Sequence, residues 1–349
     1  MIRFLVEEEG FRGVMFESPW GDAERTAQYV LTCRDSPEAA MEGLFEVWHS
    51  ESVRDLLRWL CEFNQKHPKD PVRFAGFDVQ QPWHDWQVLR DFLESIKDSS
   101  KEKLMGGISA CPGVGMMSYE EAMASGLRDK PYPRDQRRRC RNGLRAIHRR
   151  LQDIRGDPAQ AKADALLETA ELSLEGLGVW QDVLHYGRSL LGFHKAFDLR
   201  DRAMANTLVK LRKSKLKEAR TVVWAANGHI GRGRKKFFGG LIRVKPMGAH
   251  LADKLGKKYV PVGLISYETE INWGGKSNPP VHAEPDSIEF ILHGVGRPFL
   301  LVDLPLAEGK RGFLKPGRKY AVDYVRIVPI RHFQGLVFLD HSAPRRLIE

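Results

Sequence analysis

Apolar residues recur along this chain with two rhythms. From Asp22 to about His67 they fall three and four residues apart: Ala27 and Val30, then Met41, Leu44, Phe45 and Trp48, then Val53, Leu56, Leu57, Leu60 and Phe63. That spacing lines one face of a helix, and Ser36 before Pro37, and Ser50, supply helix starts. Short continuous apolar runs of strand length stand at Gly13–Phe16, Pro71–Phe77, Thr221–Ala226 and Tyr259–Ile265. Shorter strands are predicted at Ser287–Leu292, Phe299–Val302 and Leu336–Leu339. Ile2–Glu9 reads as a helix closed by Gly10, and Met247–Lys254 as one ended by Gly256. Residues from about Asp85 to Arg212 are helical in pattern, with breaks near Cys111–Gly115, Lys130–Pro133 and Gly156–Pro158. Strands alternating with helices predict an α/β fold: a mixed, largely parallel sheet flanked by helices, with a helical insertion or subdomain over about 85–212. With no linker, repeat or low-complexity stretch, 1–349 is expected to form one domain.

Composition adds little to this picture. The chain is 42% apolar and 29% charged, with Gly and Pro scattered, which excludes a disordered polymer. The longest apolar runs are far too short to cross a bilayer. Glu7, Glu8 and Glu9 follow Met1–Val6 at once, so no signal-peptide core is read and a cytoplasmic protein without membrane partners is expected. Cys33, Cys61, Cys111 and Cys140 form no C-x-x-C pair and are expected to be free thiols.

The net charge of +10 matters only if it clusters. The densest cluster runs from Arg134 to Arg155, interleaved with Leu144, Ile147, Leu151 and Ile154 at helical spacing. It reads as an amphipathic helix with a solvated basic face. Few aromatics and no recognition motif accompany it, so no nucleic-acid partner is expected.

Candidate chemistry follows from topology. In open α/β sheets ligands bind outside the carboxyl ends of the strands. Glu17, Asp78 and His229 each close a predicted strand. A histidine can take a proton from water while a carboxylate fixes its tautomer or holds the water, which is general-base hydrolysis. Structural roles stand open beside this: His229 as a turn cap, Glu17 as an arginine partner, Asp78 as a turn former. No G-x-S-x-G elbow supplies a serine nucleophile. Gly231–Lys236 lacks the full spacing of a phosphate loop and reads as a mobile basic loop. No H-x-x-x-H or H-E-x-x-H spacing occurs, so neither metal nor cofactor is expected. Trp48, Trp59, Trp83 and Trp86 read as core.

Several stretches, taken in order, resemble one family. They are Arg3–Phe11 leading to Phe16–Glu17–Ser18–Pro19–Trp20–Gly21, then Trp48-x-x-Glu51, Trp59 with Asn64, and Phe74-x-Gly76–Phe77–Asp78-x-Gln80. Further on come Arg200–Asp201-x-x-Met204–Ala205, Trp224–Ala225–Ala226–Asn227–Gly228–His229–Ile230, Met247–Gly248-x-x-Leu251, Leu255–Gly256-x-x-Tyr259 and Phe333-x-Gly335–Leu336–Val337–Phe338. In order and spacing these are similar to the erythromycin esterase family. The resemblance implies an α/β core with an added helical region, and hydrolysis of an ester or macrolide lactone. It makes His229, Glu17 and Arg200 the catalytic candidates, and Asp78, Trp20 and Asn227 the substrate-binding ones.

Two departures accompany the resemblance. Ala226 stands where the family's W-A-H-N motif has its first histidine. The family also opens with a strand and a G-E-x-x-H-G motif, and no G-E-x-x-H string occurs here. The matching region begins at the helix that would follow it, so a core strand and the motif's glutamate and histidine are expected to be lacking. A non-catalytic binding protein of the same fold, and a polyanion binder using the Arg134–Arg155 face, are the rival expectations.

Overall fold

The first predicted strand lies at the centre of a parallel sheet. In the computed structural model Gly13–Pro19 (β1) is flanked by Arg73–Asp78 (β2) and Thr221–Trp224 (β3), all three running the same way. The structure describes residues 1–80, 82–95, 99–115, 133–155, 164–186, 190–237, 242–270, 272–273, 276–277, 280–309, 312–322, 325–343 and 346. Val14, Met15 and Phe16 are all fully buried, because helices cover both faces of β1. Alternation divides them: Val14 and Phe16 point one way, Met15 the other.

On the first face Ile2–Glu7 (α1), Ala23–Thr32 (α2), Pro37–Met41 (α3) and Glu51–Lys66 (α4) close an apolar cluster that holds Val14, Phe16 and Phe74. The starts read from the sequence are real caps: Ser36 accepts from the Ala39 N–H and Ser50 from the Val53 N–H. Gly10 takes a left-handed φ of 65° just beyond α1.

The helical insertion follows β2. Pro82–Ser95 (α5), Lys101–Ile108 (α6), Arg134–Arg155 (α7) and Asp164–Tyr186 (α8) share an apolar cluster of their own, including Leu89, Ile108, Ile147 and Leu177. On α7, Leu144, Ile147, Leu151 and Ile154 are buried and Arg138, Arg141, Arg145 and Arg149 face outward. Leu190–Ser214 (α9) then returns the chain and packs against both α8 and β2.

After β3 come Asn227–Ile230 (α10) and Met247–Leu255 (α11). Gly248 explains the Met-Gly pair that opens α11. A Cβ there would lie 2.0 Å from the Ile230 carbonyl oxygen, so only glycine lets α11 lie against α10. A second, mixed sheet completes the fold from Val262–Thr269 (β4), Val281–His282 (β5), Phe299–Asp303 (β6) and Gly335–Ser342 (β7). Its order is β6-β7-β4-β5, with β7 and β4 parallel and the outer pairs antiparallel. The α/β class, the parallel sheet with flanking helices and the helical region all match the sequence reading.

Three expectations need correcting. Ser287–Leu292 is not a strand: Ser287 caps a helix, Ile288–His293 (α12), by accepting from the Phe290 N–H. Ile288 and Leu292, four apart, bury one face. The basic stretch Gly231–Lys236 is not all loop, since Lys235–Phe237 pairs with Ile242–Val244. The cysteines are not free: Cys33 bonds Cys61 and Cys111 bonds Cys140. Pairs separated by 28 and 29 residues leave no local spacing to read, and packing of α2 on α4 and α6 on α7 creates them. The predicted breaks at Lys130–Pro133 and Gly156–Pro158 fall largely outside the described residues. Among the described residues no helix is long and apolar enough to cross a membrane.

Closing loops of this length is worth about 2–4 kcal/mol each. Urea unfolding with and without a phosphine reductant should therefore show a lower midpoint in the reduced protein. Denatured, unreduced protein should give no thiol titre at these four positions.

Candidate active site

The parallel sheet brings its predicted strand-end groups together. β1 and β2 pair in register from Gly13 with Arg73 to Phe16 with Gly76, and the register then shifts before Pro19 pairs with Asp78. One extra residue on β1 makes this a bulge, a device that re-aims side chains. Glu17 sits in it. Gly76 allows the distortion, since a Cβ there would lie 2.6 Å from the Ser18 carbonyl oxygen. The bulge is tied down from the first face: Trp48 donates its indole N–H to the Glu17 carbonyl at 2.8 Å, and Phe45 N–H to Ser18 Oγ at 3.0 Å.

Arg200, on α9, reaches across the strand ends. Its Nε donates to Asp78 Oδ1 at 3.0 Å and its Nη2 to Asp78 Oδ2 at 2.5 Å, a two-pronged clamp. The same Nη2 donates to Glu17 Oε1 at 3.0 Å. The other Glu17 oxygen, Oε2, accepts from the Ala226 N–H at 2.9 Å. Asp78 is completely buried and also accepts from the Val79 N–H and the Gln80 side chain. Burial pushes its pKa up, but the Arg200 guanidinium and these donors more than offset it and hold the carboxyl below its ordinary value. Burial pulls Arg200 the other way; Asp78, Glu17 and Asp201 outweigh it and keep the guanidinium charged.

His229, on α10 just after β3, completes the group. Its Nδ1 lies 2.5 Å from Oδ1 of Asp201, a fully buried carboxylate next to Arg200 on α9. With Asp201 accepting there, the neutral imidazole keeps its proton on Nδ1 and turns the Nε2 lone pair toward Arg200. Nε2 faces Arg200 Nη1 at 3.2 Å and Glu17 Oε1 at 3.4 Å. Phe197, one turn before Arg200 and Asp201, stacks on the imidazole at 5.1 Å with the rings 12° from parallel. The Arg200 and Glu17 side chains keep 14% and 15% exposure, so solvent reaches this corner of an otherwise dry site.

Glu17, Asp78, Arg200 and His229 thus meet. The other two sequence candidates point elsewhere. The Trp20 indole is buried against α5, edge-on to His84 and facing Asp85, although its backbone N–H bonds the Asp78 carbonyl at 3.1 Å. Asn227 spends its carboxamide on the backbone of Leu264, donating to its carbonyl at 2.6 Å and accepting its N–H at 3.0 Å, which links the end of β3 to β4. Asp201, Gln80 and Phe197 were not singled out from the sequence. Asp201 and Gln80 belong to the quoted R-D-x-x-M-A and F-x-G-F-D-x-Q stretches, and a carboxylate beside a candidate arginine was a signal for the first.

Fold and site together define an α/β protein with a dense arginine, carboxylate and histidine group at the C-terminal ends of parallel strands. The chain belongs to the erythromycin esterase family, whose sequence pattern matches residues 6–342. It is 21% identical over its whole length to a putative hydrolase, YbfO, of Bacillus subtilis strain 168, covering 80% of that protein. It is 20% identical to an erythromycin esterase type II of Escherichia coli, over 85% of this chain and 74% of the other. Among solved structures, a Bacillus cereus protein superposes with a TM-score of 0.79 at 19% identity, over all of this chain and 85% of its own. A histidine-to-asparagine mutant of the erythromycin esterase EreC, in its open conformation, superposes with a TM-score of 0.72 at 17% identity, over all of this chain and 87% of the other. These likenesses establish the fold.

Proposed function

We propose that this chain is a hydrolase that directs water at the carbonyl of a carboxylic ester, with a macrolide lactone as the substrate class its named relative suggests. One observation carries the reading: Asp201 holds His229 by Nδ1 while Nε2 faces Glu17 across 3.4 Å at the strand ends. In this reading Nε2 takes the proton of an incoming water and Glu17 orients that water. Arg200 is a positioning residue that fixes both groups and keeps Asp78 ionised beneath them. No metal or cofactor is called on by any of these steps.

A second reading rests on Ala226. Its position offers only a backbone N–H to Glu17 where the family pattern has a histidine. A protein with one imidazole fewer would bind the same class of ligand without turning it over. Hydrolysis of a panel of macrolactones and simple esters by the purified protein separates the two. The catalytic reading expects turnover that His229→Ala lowers by about 10² to 10⁴, and that Asp201→Asn lowers with a displaced pH profile. Binding with no turnover on any member of the panel, or turnover untouched by His229→Ala and Glu17→Gln, would overturn it.

A further inference from the structure

Three side chains form a row across the second sheet. His341 on β7 pairs with Glu268 on β4, and Glu268 pairs with His282 on β5. Residues directly opposite one another in neighbouring strands project from the same face. The row is therefore set by strand register and not by a choice of rotamers. His341 Nδ1 lies 2.8 Å from Glu268 Oε1, and His282 Nε2 lies 3.8 Å from Glu268 Oε2. Glu270 joins from the same face two residues on, where its backbone N–H still donates to the Ser342 carbonyl at 3.0 Å. Its Oε1 is 3.4 Å from His341 Nε2. One ligand atom from each of Glu268, Glu270 and His341 lies within 4.8 Å of the others.

We infer that Glu268, Glu270 and His341 form a site for a divalent transition metal, with zinc the ion that suits their donors. Imidazole nitrogen with carboxylate oxygen is a zinc donor set, whereas calcium and magnesium prefer oxygen alone. Zinc bonds of about 2.0–2.1 Å in a tetrahedron place neighbouring ligand atoms roughly 3.4 Å apart. One ligand atom from each of Glu268, Glu270 and His341 already lies within 4.8 Å of the others, so small side-chain rotations bring them to that spacing. Glu268, Glu270 and His341 are the three protein ligands. His282, 3.8 Å from the other oxygen of Glu268, is the outer contact that orients this carboxylate. The His341 side chain is 47% exposed, so water can complete the coordination. A search for ligand spacing along the sequence misses the set because its histidine comes from another strand, 73 residues from Glu268. The site shares no residue with the Arg200 group.

The competing account of the same contacts is a pair of solvated His–Glu ion pairs with no affinity for metal. Zinc titration of the full chain at pH 7.5, after dialysis against a chelator and with a chromophoric zinc indicator as competitor, decides between them. One bound equivalent is expected. Removal of a direct ligand, in His341→Ala or Glu268→Gln, should weaken it at least a hundredfold. Loss of the outer contact in His282→Ala should weaken it roughly tenfold. Glu268→Gln keeps the shape of the side chain, and an unchanged circular dichroism spectrum shows that its loss of binding is not unfolding. Absence of binding at about 100 μM zinc, or equal affinity in the parent and both ligand variants, overturns the site.

Discussion

Arg200→Met is expected to cost about 3–5 kcal/mol of stability at neutral pH, the penalty for leaving one partner of a buried ion pair uncompensated. Methionine fills much of the arginine's volume, so the loss is electrostatic more than steric. Asp78 has no exposure at all, and Arg200 is the cation that clamps both of its oxygens. Without it the carboxylate keeps only the Val79 and Gln80 donors. Burial then dominates, and its pKa moves from below the ordinary value to above it.

The sign of the pH dependence follows. In the parent protein Asp78 contributes stability that is present above its unfolded pKa and is lost as pH falls through the lowered folded value. In Arg200→Met the folded value is the higher one, so stability falls as pH rises. The difference between the two proteins should thus be largest at pH 7–8 and shrink toward pH 4. Removing the stranded charge as well, in Arg200→Met with Asp78→Leu, should restore much of the loss. Urea unfolding of the parent, both single variants and the double variant at two pH values makes the check. A single-variant loss under about 1 kcal/mol, or no recovery in the double variant, would mean that Asp78 is not held by Arg200.

The parts of this site differ in how far the sequence announces them. Glu17, Asp78 and His229 could be placed because each ends an apolar run, and parallel strands gather their ends on one side. Arg200 lies inside a long helical pattern where nothing local distinguishes it from other exposed-looking arginines; only the family resemblance singled it out. Asp201 is hidden for a similar reason. Polar residues in a helix read as solvent-facing until the sheet they pack against is known. The indole of Trp20 and the carboxamide of Asn227 were expected at the ligand, yet the indole is buried beside Asp85 and the backbone of Leu264 claims the carboxamide. Both disulfides and the His341–Glu268–His282 row need contacts between distant segments, which periodicity does not carry. The short helix α12 was misread because four Ile, Phe and Leu residues among six suit strand and helix alike, and the Ser287 cap was the deciding signal.

Asp22→Asn is expected to stabilise the protein at pH 8, by on the order of 3 kcal/mol, and to do little at pH 4. Burial lifts the Asp22 carboxyl from 3.8 to about 6, with the Trp83 side chain opposing. Asp85, wholly buried at the start of α5, is pushed well above its ordinary value by burial first and by Asp22 second. The Trp20 indole and the Ser173 hydroxyl face Asp85 and hold it down only in part. Gly176 on α8 is what admits it, since a Cβ there would stand 2.4 Å from its Oδ2. A raised folded pKa means that the unfolded chain releases its proton first. Stability therefore falls as pH rises from about 4, and the full cost is reached above the folded value near 6. His84 Nδ1 lies 3.6 Å from Asp22 Oδ1, and burial lowers its pKa, with Glu24 and Asp91 opposing and Lys215 adding to the fall. Its effect on stability runs the other way, rising with pH as the imidazole sheds its proton. The parent's own pH profile mixes the two slopes, so the quantity to read is the difference between Asp22→Asn and the parent. That difference should grow between pH 4 and 7 and then level off. A flat difference across this range would show that Asp22 titrates as an exposed carboxylate and that the turn after β1 is open to water.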